Sequence, residues 1–477
     1  TMRTNFKLPC FARRQAWHTF KCALLLCALW TAVGQWPLQA MSLRSSWYNL
    51  TPRATLAYLI KQGKQTQLVL RAMDRNDRRT LPLPASASPV ATSAIAPKGR
   101  WLAFYTGEIS LPDKKATDDL ALHLLNLQNG QSITITRLLP SNFPQNLRVN
   151  AKLIAQRIPE VANDPMLVEG IWRAFAEALR VHAWSPDGRY LAFAGAMDGP
   201  SSDLYLYDTT NHQITRLTDG PEQIMSIRWS PDGHWVWHDT ISIGFCEGCY
   251  GHKYAAAVDG STIYMIPGDE GDRFITWLGP QQYLETSGAN GIGDFGLGLV
   301  DLAKKKGTLY WSGSYRAFVL DWKHQQLVVD GSPDRSPIPK QPGIYLVNLV
   351  TGKFTRIPPA QQKGGLFAWL AQAGHVPCGQ LGGRIVYPCS DQNLFAPFSP
   401  NGEWWVKPNL DLYQQQGDLY QRASTKLTAS QLIWRPDSKG FYFLANNDLY
   451  YRPLFGTKPT LLEHGVAALV WAGVVEQ

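Results

Sequence analysis

The sequence lacks the short motifs that name most enzymes. Its 477 residues contain no Gly-x-Ser-x-Gly nucleophile elbow, no phosphate-binding loop of the Gly-x-x-x-x-Gly-Lys type and no His-Glu-x-x-His pair. These absences exclude the common serine hydrolases, nucleotide hydrolases and zinc proteases, but not enzymes whose groups gather from distant strands. Charge is also sparse, at 17%, and Lys and Arg cluster only as "KKK" at Lys304–Lys306, in an expected hairpin turn. A nucleic-acid surface needs clustered basic charge, so no nucleic-acid partner is expected. No apolar run reaches the roughly 20 residues of a membrane span. Cysteine is scarce, with seven in the chain.

The longest apolar run, "CALLLCALWTAVG" at Cys22–Gly34, follows Arg3, Lys7, Arg13, Arg14 and Lys21 and precedes "QWPLQA" ending at Ala40. This order is that of a secretory signal, so residues 1–40 are expected to be cleaved and the protein to be periplasmic or extracellular. An uncleaved segment would leave it membrane-tethered. Cleavage would lower the formal charge from +9 to +4, so much of the basicity belongs to the leader. Four cysteines then remain: Cys246, Cys249, Cys378 and Cys389. An even number in an exported chain points to two disulfides, Cys246 with Cys249 and Cys378 with Cys389. The alternative is a four-thiolate zinc site, for which "CEGC" has suitable spacing and the second pair does not.

What the chain does contain is a repeat. "WSPDGRYLAFAG" at Trp184 returns as "WSPDGHWVWHDT" at Trp229. Proline presets its backbone angle and glycine accepts positive φ, so Ser-Pro-Asp-Gly forms a tight turn between two strands. "RYLAF" alternates as a half-buried strand, "LYLYD" supplies the next and "HQITRLT" the outermost. The pattern recurs with decay at Ile95 ("IAPKGRWLAFYTG"), Trp277, Trp322, Phe398 ("FSPNGEWWVKP") and Trp434. A last anchor at Trp471, "VAALVWAG", offers only a first strand, whereas Ala54–Leu83 offers later strands with no first strand before them. The two stretches should pair in one composite blade and close a ring, removing open sheet edges. The fold expected is all-β, a β-propeller of eight blades, with seven or six if Trp277 or Trp322 is misread, forming one domain over 41–477.

At "WSPDGRYLAF…DLYLYD…ITRLTDG" the chain resembles the TolB-like, WD-type propeller repeats, also found in the propeller domains of prolyl oligopeptidases and dipeptidyl peptidase IV. The resemblance spreads over residues 54–475. It implies a β-propeller and little about activity, because the motif is structural in those families. Neither the α/β domain that precedes the TolB propeller nor the hydrolase domain of the peptidases is expected within these residues.

Two insertions break the rhythm. Residues 150–180 read as a helix, with Asp164 as cap, Pro165 in the first turn and Leu167, Ile171, Phe175 and Leu179 on one stripe, expected to pack on the propeller, cover its channel or dock a partner. Residues 364–392 read as a disulfide-stapled loop. "GIGDFG", Gly291–Gly296, fits a dinucleotide pattern, but "LGLVDL" continues as strand where a Rossmann loop would open a helix, so a glycine-rich hairpin is expected. His234 and His238 share a strand face and could offer two metal ligands, although His234 occupies the turn position held by Arg189 in the preceding repeat. "GDEGD", Gly268–Asp272, lacks the spacing of a dedicated calcium loop. Trp235, Trp237, Trp404 and Trp405 mostly fall where packing between blades needs bulk, with a sugar-stacking platform as the alternative.

No catalytic, cofactor or metal residues are assigned. The expectation is a non-catalytic, monomeric, exported scaffold for an envelope or extracellular protein or glycan. The alternatives are a propeller-type enzyme on polysaccharide, a lyase or glycoside-processing enzyme with its site at the central channel, and a TolB-like envelope assembly component. An enzyme would bring several of His182, His238, His252 and His375 together with carboxylates.

Overall fold

The computed structural model describes residues 53–74, 77–84, 95–107, 120–138, 180–197, 202–220, 222–241, 252–266, 273–287, 296–321, 325–334, 341–362, 380–381, 384–385 and, with short interruptions, 399–475. Outside them lie the leader 1–40, the expected helix over 150–180 apart from Arg180, residues 268–272 and 291–295, His375, and Cys246, Cys249, Cys378 and Cys389. Among the described residues one short 3-10 turn, Pro359–Gln361, interrupts an otherwise antiparallel β structure.

Each repeat folds as a meander. The Trp184 blade runs through His182–Trp184, Tyr190–Gly195, Asp203–Asp208 and Ile214–Arg216, each strand pairing with the next. The Trp229 blade does so through Gln223–Trp229, Trp235–Ile241, Lys253–Ala257 and Ile263–Ile266. The Trp434 blade does so through Gln431–Trp434, Gly440–Ala445, Asp448–Pro453 and Thr460–Glu463. The Ile95 blade keeps three strands, its first reduced to the bridge between Ile95 and Leu102.

The corner between the first two strands explains the repeated sequence. Ser185 Oγ donates to Asp187 Oδ1 (2.6 Å) and accepts from Tyr190 N–H (2.9 Å), while Arg189 N–H donates to Asp187 Oδ1 (3.0 Å). Gly188, at φ +71°, donates its N–H to Ser185 O. The Trp229 blade repeats this with Ser230, Asp232, Gly233 at φ +72° and Trp235. The Phe398 blade repeats it with Ser399, Asn401 and Trp404. Serine, aspartate and glycine recur because hydroxyl, carboxylate and a left-handed residue together satisfy a turn too tight to pair with itself.

Two blades share one strand. Lys306–Asp321 pairs through Lys306–Ser312 with Gly296–Asp301, and through Gly313–Asp321 with Gln326–Pro333, so the Trp277 and Trp322 blades form a seven-stranded sheet. Gly313 makes the crossover at φ +127°, where an added Cβ would lie 2.3 Å from Ser332 O. "LGLVDL" is a strand, as expected, and Lys304–Lys306 turn the hairpin, with Lys304 Nζ 2.9 Å from Asp301.

The ring closes where the sequence indicates. Val466–Val475 is the inner strand of a sheet continued by Arg53–Gln62, Gln65–Ala72 and Arg78–Leu83, in register at Leu56 with Ala472 and Ala57 with Trp471. The core lies between blades as a series of slabs. Leu56, Tyr58 and Val69 of this composite blade meet Tyr442, Leu444 and Leu449 on one side; Leu59, Leu68 and Leu81 meet Leu102 and Phe104 on the other. Trp237 packs with Tyr283 and Val300, and Trp311 with Leu297, Val328 and Tyr345. These antiparallel sheets, packed face to face and joined end to end, define a β-propeller. Its expected blade number depends on residues 363–398, most of which lie outside the described residues.

Gly313→Ala should destabilise the chain by more than about 3 kcal/mol, since both backbone strain and a clash with backbone must be relieved. Ser185→Ala should cost about 1 kcal/mol, the net worth of one such hydrogen bond. Urea unfolding of the two variants against the parent measures both, and equal stability of Gly313→Ala would refute the crossover.

Candidate functional site

The meander gives each blade two ends of different character. Corners and outer hairpins lie at one end, where Arg189 pairs with Asp208 at 2.8 Å and Thr209 N–H donates to Arg189 O. Burial pushes the Asp208 carboxyl up, but hydrogen bonds from Arg189 and Thr210 outweigh this and hold it down at about 2. At the opposite end, the links between blades meet the loops between second and third strands. Polar groups that are not part of the repeat concentrate there.

Among the described residues, the Trp229 blade carries one such cluster. Glu222 precedes its first strand, Thr240 lies near the end of the second, His252 just precedes the third and Tyr254 lies within it, so the meander brings residues 30 positions apart into contact. Glu222 Oε1 lies 2.6 Å from His252 Nδ1, and Glu222 Oε2 accepts from Thr240 Oγ1 and, at 3.4 Å, from Tyr254 OH. Thr240 N–H donates to His252 O (3.0 Å) and His252 N–H donates to Thr240 Oγ1 (3.0 Å), which locks the backbone beneath. Burial raises the Glu222 carboxyl, yet the hydrogen bonds from Thr240 and His252 hold it below its ordinary value, so it is charged. A carboxylate on Nδ1 fixes the imidazole orientation and leaves Nε2 as the outward atom. The His252 side chain is 58% exposed.

Behind the cluster stands His238, almost fully buried and stacked on Tyr254 with centroids 5.3 Å apart. Burial lowers its pKa to about 4, and its Nδ1 has no hydrogen-bond partner. Gln223 accepts from Ser202 N–H at 2.7 Å, while its buried Nε2 has no partner. Next to them Lys253 Nζ meets Glu285 Oε2 at 3.0 Å in an ion pair only 8% exposed on each side, and Tyr283 OH donates to the same oxygen.

The residues singled out from sequence are dispersed by the fold. His234 is an exposed corner residue paired with Asp232 at 2.8 Å, and His238 sits at the other end of the strand, so the two do not form a ligand pair. Strand alternation put them on one face, but four residues separate opposite ends of a blade. His182 is half-buried in another seam, its Nε2 enclosed and its ring 5.4 Å from the Tyr105 ring, with desolvation lowering its pKa to about 4. Thus His238 and His252 come together and His182 does not. Among the described residues no three His, Cys, Asp or Glu side chains form a metal-binding group. Trp237 is buried as packing requires, whereas Trp404 packs with Tyr420 and Phe455, both exposed. Sequence reasoning missed Glu222, Thr240 and Tyr254, because no local motif links them.

The repeated corner and the closing sheet define a β-propeller. No family model matches the chain. A 61-residue stretch is 41% identical to the uncharacterized peptidase YuxL of Bacillus subtilis, covering 13% of this chain and 9% of that protein. An 85-residue stretch is 32% identical to the uncharacterized protein Atu1656 of Agrobacterium fabrum, covering 18% and 27% respectively. The chain therefore spans well under a third of the length of either curated relative. Among solved structures, TolB from Acinetobacter baumannii aligns over 88% of this chain and 82% of its own, at 13% identity and a TM-score of 0.30. No helix among the described residues is long and apolar enough to cross a membrane.

His182 and His238, both desolvated, predict acid sensitivity. Below about pH 6.5 the unfolded chain protonates His182 and His238, while the native chain keeps both neutral down to about 4, so stability falls as pH drops through that window. Each histidine should remove about 2 kcal/mol between pH 7 and 4.5. Asp208 and Asp301, held at about 2, lose their contribution only at lower pH. Urea unfolding of the parent and His238→Phe at both pH values measures the difference; an equal acid loss in the two would refute the assignment.

Proposed function

We propose that this chain is an exported, non-catalytic β-propeller that binds a protein or glycan partner in the cell envelope. The observation that carries this reading is the polar end of the Trp229 blade. There an oriented Glu222–His252 pair lies beside His238 and Gln223, two buried residues with unpartnered polar atoms that are held on the first two strands. Groups fixed in advance in this way lose little freedom on binding, which favours recognition. Export is supported by the basic and apolar leader and by the even number of cysteines beyond it. The separation of His182 from His238 and His252 favours binding over catalysis assembled from several blades.

Intact mass spectrometry of the protein isolated from the cell envelope without reductant tests this reading. The expected chain begins at Met41 and is lighter by four hydrogens, with no added mass under native conditions. Reduced cysteines together with a metal-sized native mass would overturn it in favour of a metal site.

A further inference from the structure

The Glu222 cluster has a chemistry that narrows what it can hold. Glu222 is charged and 2.6 Å from His252, so an anion approaching the imidazole meets a carboxylate. Both Glu222 oxygens already accept from Thr240, Tyr254 and His252, which leaves the carboxylate poorly disposed to a cation. What His252 offers, with Nδ1 held by Glu222, is an outward Nε2 that accepts a hydrogen bond from a neutral donor. Beside it stands the part-buried ring of Tyr254, 6.1 Å from the His252 ring and backed by the stacked His238. An oriented acceptor next to an aromatic ring suits a ligand with hydroxyl donors on one side and C–H groups on another, which is the chemistry of a sugar.

We propose that Glu222, His252 and Tyr254, with His238 behind them, form a subsite for a neutral oligosaccharide at the link end of the Trp229 blade. This rests on the binding-scaffold reading and specifies its ligand as a glycan. His252 accepts from a sugar hydroxyl, Tyr254 contacts the ring face, and Glu222 positions the imidazole without touching the ligand. The buried His238 supplies the rigid backing.

Isothermal titration of the full mature chain with maltotetraose and with tetra-N-acetylchitotetraose tests the subsite. At least one sugar is expected to bind. His252→Ala, at an exposed position, should weaken binding at least tenfold with an unchanged melting temperature. Tyr254→Phe should stay within about twofold, because the ring remains, and Tyr254→Ala should match His252→Ala. Failure of both sugars to bind the parent overturns the proposal. Equal affinity for His252→Ala also overturns it, but leaves the scaffold reading standing with its glycan site elsewhere. If neither sugar binds and crosslinking in the envelope fraction joins the parent to a defined protein, the scaffold reading survives and the subsite does not.

Discussion

Phe193, Tyr205 and Tyr207 on one face of the Trp184 blade meet Trp101, Leu122 and Leu124 of the blade before it, while Ala192, Leu204 and Leu206 on the other face meet Ile227 and Val236 of the blade after it. This two-sided burial is the constraint from which the architecture follows. A single blade has no core of its own, so each is stable only between neighbours, and the first and last must also be neighbours. Pairing Arg53–Gln62 with Val466–Val475 supplies that closure by joining the two ends of the chain in one sheet. Each fully buried large apolar side chain adds about 1.5–3 kcal/mol, so a slab of them outweighs any single hydrogen bond at the corners.

Packing of this kind fixes the middle of each blade and leaves its ends free. At the corner end, the serine, aspartate and glycine arrangement of the Trp184 and Trp229 blades recurs in the Phe398 blade with Asn401 in place of aspartate, because the same reversal is made there. At the link end, connections differ in length and content, so side chains there answer to no repeat. Glu222, Thr240, His252 and Tyr254 use this freedom, and the strands beneath hold them more firmly than a loop would.

The corners were legible because turn chemistry is local: Ser, Pro, Asp and Gly within four residues specify the backbone. Where the motif weakened, the geometry persisted. Ser438 takes φ +58° in the Trp434 corner where Gly188 and Gly233 stand in others. The strand shared by the Trp277 and Trp322 blades was not legible, since nothing local announces that a link will straighten into continuous strand around Gly313. Nor was the Glu222 cluster, whose members have no common spacing. The histidine pair that spacing did suggest, His234 and His238, was divided between opposite ends of one blade.

By itself the sequence determined the repeat, the all-β class and the composite closing blade, because turns depend on neighbouring residues and strand complementarity at the two ends can be counted. Tertiary structure decided which polar side chains meet. A meander returns the chain to the same end of a blade after a loop of any length, so contacts such as Glu222 with His252 depend on strand register and blade packing. Those are properties of the folded ring, set by burial summed over many residues.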